Sequence, residues 1–273
     1  MKIYISADIE GVAGIASPNE ANMAVPGEYE PYRRQMAAEV LAACRGAYTA
    51  GASSILVKDA HGSGRNLVMG DFQVPAGKAF ELIRGWSGHP LGMVQDIDES
   101  FAGALFIGFH AAAGQSGNPL AHTINGRLFA RIELNGELAS ELRLYALAAA
   151  TVNVPVLFVS GDAVVCDEAE ALIPGVTTVR TLIGHGHSVR SISQTDAIRQ
   201  IEENVQRCVS GTMTAALTLP ERFVLKVEFR HGADAYARSF YPGAKLISDT
   251  EVELESTDYL AILTFLRFAS RYA

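Results

Sequence analysis

The chain opens on an apolar run that stops abruptly at charge. Lys2-Ile3-Tyr4-Ile5-Ser6-Ala7 has the β-branched and aromatic content of a strand and little to mark a solvated face, which suits a buried parallel strand. It ends at Asp8-Ile9-Glu10-Gly11. If extended backbone persists there, Asp8 and Glu10 point the same way, because strand side chains repeat every second residue. Unpaired, the two would repel and one would be driven toward its protonated form; a bound dication removes that penalty and turns the pair into ligands. The plain alternative is a solvated acidic cluster at a strand end, since D-x-E is common.

Ala16 to Gly27, rich in Pro, Asn and Gly, reads as a loop long enough to lie across a site. A helix is predicted from about Tyr29 to Ala50, where Met36, Val40, Leu41, Cys44 and Ala47 recur at three and four and Gly51 supplies the stop. Ser53 to Lys58 is a second strand, ending at Asp59-Ala60-His61-Gly62. Such a βαβ unit has parallel strands and a right-handed crossover, and puts both polar stops at the carboxyl edge of the sheet, where open α/β proteins build their sites. A third apolar run, Ala102 to Phe109, ends in His110. One histidine after a strand is more often structural than a ligand. Three strands ending in ligand residue types at one sheet edge favour a metal.

Beyond a small-residue loop ending in His122, Leu128 to Leu134 alternates as a strand and Asn135-Gly136 signals a hairpin. Ser140 to Val152 is helical, led by Glu141; Pro155 to Ser160 is a buried strand, Asp167 to Leu172 a short helix, Thr177 to Leu182 a strand, and Thr195 to Val209 a helix. After Pro220 the order becomes strand (223–229), a helical or looped segment (233–240), strands 244–247 and 251–254, and a helix from Thr257 to Tyr272. The fold class expected is α/β: a three-layer α/β/α core on a parallel sheet over residues 1–210, with a smaller α+β domain over 211–273, with which residues 123–138 could pack. Gly184-His185-Gly186-His187 offers metal-like residue types, but its glycines and the following Ser and Arg set it aside. Glu133 falls within the alternation as a solvated or interface residue.

Composition narrows the function. With 273 residues, 49% of them hydrophobic, the chain can bury a substantial core. A net charge of −8 with no basic run argues against nucleic acid. No segment approaches the roughly 18 apolar residues of a membrane span, and the absence of a signal-peptide pattern makes a cytoplasmic protein the expectation. Three widely spaced cysteines are read as reduced and structural.

Five segments, taken together, resemble the D-aminopeptidase family of dinuclear zinc peptidases, associated in bacteria with dipeptide transport. They are Ser6-x-Asp8-x-Glu10-Gly11, Lys58-Asp59-Ala60-His61, Gly103 to His110, Ala121-His122, and Asn135-Gly136 through Glu141-Leu142. The resemblance runs almost end to end. It implies two zinc ions per subunit, with Asp8 bridging, Glu10 and His61 completing one ion, and His110 and Glu141 the other. It gives His122 a direct catalytic part, and imidazole suits proton transfer near neutral pH. It also implies a short-peptide substrate cleaved from a free amino terminus and a large closed homo-oligomer, a decamer of stacked pentamers. The alternatives are an amidohydrolase on a related small amide and a non-catalytic peptide- or metal-binding protein. Against the last, structural zinc usually closes its coordination with protein, commonly cysteine.

Overall fold

The computed structural model describes residues 1–211 and 215–271. In chain order, β1 (Lys2–Ala7) leads through a loop to α1 (Pro26–Thr49), followed by β2 (Ser54–Asp59), β3 (Ala79–Ile83) and β4 (Phe101–Phe109). A short hairpin of β5 (Phe129–Leu134) and β6 (Glu137–Leu138) precedes α2 (Glu141–Ala150) and β7 (Val156–Asp162). Then come α3 (Ala163–Leu172), β8 (Thr177–His185), β9 (Ser188–Ser191) and α4 (Gln194–Ser210). The remainder is β10 (Phe223–Phe229), α5 (Gly232–Arg238), β11 (Lys245–Leu246), β12 (Glu251–Ser256) and α6 (Tyr259–Ala269). Tyr272, where the periodicity ends its last helix, lies outside the described residues.

Seven strands form one sheet in the order β3-β2-β1-β4-β7-β8-β9. It is parallel except for the β8–β9 hairpin at its edge. Alternation along β1 explains the layers: Ile3, Ile5 and Ala7 join the core shared with α1 and α4, while Tyr4 joins the opposite core with α2, α3 and α6. The fold is therefore α/β, with a parallel sheet covered on both faces. A second sheet, β11-β12-β10-β5-β6, is antiparallel, so the 129–138 hairpin pairs with carboxy-terminal strands. No helix among the described residues is long and apolar enough to cross a membrane.

β3 is one of two strands that the hydrophobic pattern does not announce, the short edge strand β9 being the other. β3 sits at the edge of the sheet, and none of its five residues is fully buried, so the long apolar run of an inner strand is not required there. His185, Gly186 and His187 lie at the exposed β8–β9 turn, and among the described residues neither histidine joins a group that could hold a metal.

On α1, Glu39 is fully buried under the turn that follows β1. Its Oε1 accepts from the Ala13 amide at 2.9 Å and from Gln35 Nε2 at 2.8 Å, while its Oε2 has no partner. Burial, only partly offset by these donors, raises its carboxyl to about 7. A carboxyl raised on folding contributes stability below its unfolded value, which is lost as pH climbs through 7. Glu39→Gln is therefore expected to remove about 3 kcal/mol of pH-dependent destabilisation between pH 5 and 8. The check is Tm against pH for both proteins: the Gln variant should gain on the wild type as pH rises, and parallel curves would refute the assignment.

Candidate metal centre

Three strand ends and one helix start converge at the carboxyl edge of the parallel sheet. After β1 the backbone folds across the end of β4: the Asp8 amide donates to Ile107 O and the Gly11 amide to Gly108 O, each at 2.8 Å. This crossing is too close for side chains. A Cβ on Gly11 would enter the Phe109 carbonyl, and one on Gly108, whose φ is +73°, would enter the Asp8 carbonyl. Gly11→Ala is expected to cost about 3 kcal/mol or more through this backbone clash and to loosen the hold on added zinc. Thermal melts and zinc titration check it; a wild-type Tm would show that the crossing can open at little cost.

Glu141 arrives differently, as the first residue of α2, whose cap is Ser140 accepting from the Arg143 amide at 3.0 Å. Its Oε1 accepts from the Ile124 amide at 2.6 Å. Ile124 has φ +62°, a strained setting for a β-branched residue, next to the carboxylate it orients.

Each of the three histidines is held from behind by a main-chain carbonyl. His61 Nε2 donates to Ala21 O at 2.7 Å, His110 Nδ1 to Ala111 O at 2.9 Å, and His122 Nδ1 to Leu120 O at 2.9 Å. The partner of His61 belongs to the Pro-rich loop after β1, which does lie across the site. Such bonds fix the tautomer and leave the opposite nitrogen as a free lone pair. His61 Nδ1 then faces Asp8 Oδ1 at 3.3 Å and Glu10 Oε2 at 2.8 Å. His110 Nε2 faces Asp8 Oδ2 and Glu141 Oε2, both at 3.6 Å. His122 Nε2 lies 3.8 Å from Glu141 Oε1, with its ring stacked on His110 at 4.5 Å between centroids.

With the imidazoles neutral, as metal ligation requires, these contacts set acceptor against acceptor, and Glu10 Oε2 and His110 Nε2 are buried without hydrogen-bond partners. A cation between them resolves both problems. Zinc bonds of about 2.0–2.2 Å at tetrahedral angles set donors about 3.3–3.6 Å apart, close to the spacings here. The donor atoms fall into three groups that could hold an ion: Asp8, Glu10 and His61; Asp8, His110 and Glu141; and Glu10, His110 and His122. The first two share Asp8 through different oxygens. The third brings His122 within reach of an ion, a grouping the sequence pattern does not suggest.

The electrostatics agree. Burial and the neighbouring Glu10 push the Asp8 carboxyl well up. Burial resists ionisation of Glu10 as well, but the facing His61 holds it well below the usual carboxylate range. Burial opposes charge on His110, yet Glu141 and Asp8 raise it to about 9. Without a dication the cluster retains protons in the space between its carboxylates, and a metal would displace them.

Beside the centre is a cavity of about 280 Å³. Its walls include Trp86, Asn125, Tyr145 and Arg267, which no motif announces. One is foreshadowed by its neighbour: Lys58, fully buried at the end of β2, places its Nζ 4.0 Å over the Trp86 ring while donating to Asp59 O and Gly85 O.

Comparison with known proteins shows the family of the chain. A family described as D-aminopeptidase, Peptidase_M55, matches residues 1–268. The D-aminopeptidase of Bacillus subtilis (strain 168) is 32% identical, over 99% of this chain and 98% of that protein. The solved structure of the Zn-dependent D-aminopeptidase DppA from Bacillus subtilis, described as a self-compartmentalizing protease, superposes with a TM-score of 0.90 at 30% identity, covering 100% of this chain and 99% of that one. A parallel sheet with carboxylates and imidazoles at its carboxyl edge, matched end to end by peptidases, defines an α/β peptide hydrolase. The chain belongs to the D-aminopeptidase family.

Proposed function

We propose that the chain is a zinc aminopeptidase whose two ions share Asp8, with Glu10 and His61 completing one site and His110 and Glu141 the other. The observation that carries this reading is the split carboxylate of Asp8, whose Oδ1 faces His61 while Oδ2 faces His110. The chemistry such a pair supplies is polarisation of a carbonyl and acidification of a water. The chain's own residues do the rest. The backbone carbonyls behind His61 and His110 hold their lone pairs in place, and the strand-end crossing holds Asp8 and Glu10. His122, partly exposed to the cavity, has Nδ1 committed to Leu120 O, so its Nε2 is the atom that takes or gives a proton.

The substrate proposed is a short peptide with a free amino terminus, hydrolysed in the cytoplasm, and the similarity to D-aminopeptidases extends this to D-residues. Helix α6, which falls in the smaller unit proposed over residues 211–273, lines the cavity with Leu263, Leu266 and Arg267. Elemental analysis followed by turnover of matched D- and L-aminoacyl substrates, before and after chelation, tests the reading. Two zinc equivalents and chelator-sensitive hydrolysis are expected; hydrolysis indifferent to chelation would refute it.

A closed homo-oligomer, a decamer, is proposed alongside. Tyr236, Phe240 and Phe268 stand 60–70% exposed on and beside α5 and α6, an aromatic surface that assembly would cover. Light scattering at the 29.2 kDa of one chain would end this idea.

A further inference from the structure

The cavity beside the metal centre has one wall that the metal chemistry leaves unused. Leu263, Leu266, Arg267 and Ser270, three and four apart on and just past α6, line the same space as Asp8, Glu10 and Glu141. That wall is fastened to the catalytic loop: Asn125, three residues after His122, donates its side-chain amide to Ser270 O at 3.1 Å.

Arg267 is the only lysine or arginine among the described residues lining this cavity. Five arginines of the described chain are half-buried: Arg33, Arg45, Arg143, Arg238 and Arg267. Four of them meet carboxylates, Arg33 with Glu30 and Asp71, Arg45 with Glu202, Arg143 with Glu168, and Arg238 with Asp234. Arg267 has neither an ion pair nor a side-chain hydrogen bond among the described residues. Burial and the nearby Arg271 both disfavour its charge, so an incoming anion would be favoured beside it. The carboxylates of the centre do not supply that anion, since they face the histidines.

We infer that Arg267 anchors the free carboxyl terminus of the peptide substrate and so selects peptides short enough to place that group inside the cavity. The inference rests on the peptide-hydrolase reading of the site. It follows from chemistry: the anion every short peptide carries is its terminal carboxylate, and a guanidinium accepts it through two parallel hydrogen bonds. Leu263 and Leu266 beside it limit water, which strengthens the pair. A cavity of about 280 Å³ lies near the lower end of ligand-pocket sizes, roughly 300–1,000 Å³. Arg267 is on this account a specificity residue outside the bond-breaking machinery.

The test uses the full-length zinc-loaded protein and two probes, an apolar dipeptide and the same dipeptide as its terminal carboxamide. Wild type should prefer the acid. Arg267→Gln should lower kcat/KM on the acid by about tenfold to a hundredfold, chiefly through KM, which is the worth of hydrogen bonds to a charged group. Its rate on the amide should stay within about twofold. Arg267→Lys keeps the charge and most of the packing and should recover part of the preference, which keeps the test informative where the Gln variant folds poorly. Arg127→Gln, at an exposed arginine on the neighbouring cavity that Glu10, His61 and His122 also line, should leave the acid-to-amide ratio at the wild-type value. An equal loss on both probes in Arg267→Gln would place the guanidinium at the reacting carbonyl and overturn the inference. Loss of the preference in Arg127→Gln alone, or a wild type indifferent to the carboxylate, would overturn it too while leaving the peptidase reading intact. A zinc-loaded wild type that cleaves neither probe would sink the peptidase reading and the inference with it.

Discussion

Asp8→Ala is expected to leave the chain folded and empty of both ions. Asp8 belongs to two of the three donor groups and is the only residue that presents separate oxygens to His61 and His110. Removing it leaves Glu10 with His61 on one side and Glu141 with His110 on the other, two donors each, below the three protein ligands usual for catalytic zinc. Turnover should fall by about a thousandfold or more, since metal activation is worth several kcal/mol and each 1.4 kcal/mol is tenfold. The metal-free variant should not melt below metal-free wild type, because the substitution relieves the crowding of Asp8 with Glu10 and Glu141 that raises the Asp8 carboxyl. Elemental analysis decides the matter. Two equivalents retained would remove the bridging role, and one retained would point to the third group, Glu10, His110 and His122, as a site independent of Asp8.

The elements that carry these residues are legible in the sequence for a physical reason. Inner parallel strands must be apolar on both faces, so Ile3 to Ala7 and Ala102 to Phe109 stand out as runs, and a ligand residue after such a run can only sit at the sheet edge. Helix α1 shows through its three-and-four spacing, although it starts earlier than the periodicity suggests, at Pro26, where proline suits a first turn. Edge strand β3 escapes because half-exposed residues need no apolar pattern. Arg267, Tyr145 and Trp86 escape for another reason. They reach one cavity from three elements far apart in the chain, and only tertiary packing makes them neighbours. The stacking of His122 on His110 is likewise invisible in sequence, where eleven residues of small-residue loop separate them.

His122→Ala separates proton transfer from metal holding. Its imidazole stacks on His110 and lies 3.8 Å from Glu141 Oε1, yet it is the most exposed of the three histidines, with 24% of its side chain accessible against 12% for His61 and none for His110. A group placed at the cavity rim and oriented by a single carbonyl is suited to moving protons to and from substrate. The expected variant is folded and retains both zinc ions, and its kcat is about a hundredfold or more below wild type, the usual worth of a positioned acid or base. Some rate should survive, because carbonyl polarisation and water acidification do not depend on this side chain. The residual activity should also lose whatever limb of the pH–rate profile belongs to the imidazole, a change that loss of packing alone would not produce. Zinc content and the pH profile of kcat, measured on the same preparation, separate the outcomes. Loss of one zinc equivalent would make His122 a ligand through the group it forms with Glu10 and His110, and full zinc with near-normal kcat would take it out of the chemistry and leave the centre itself to carry the reaction.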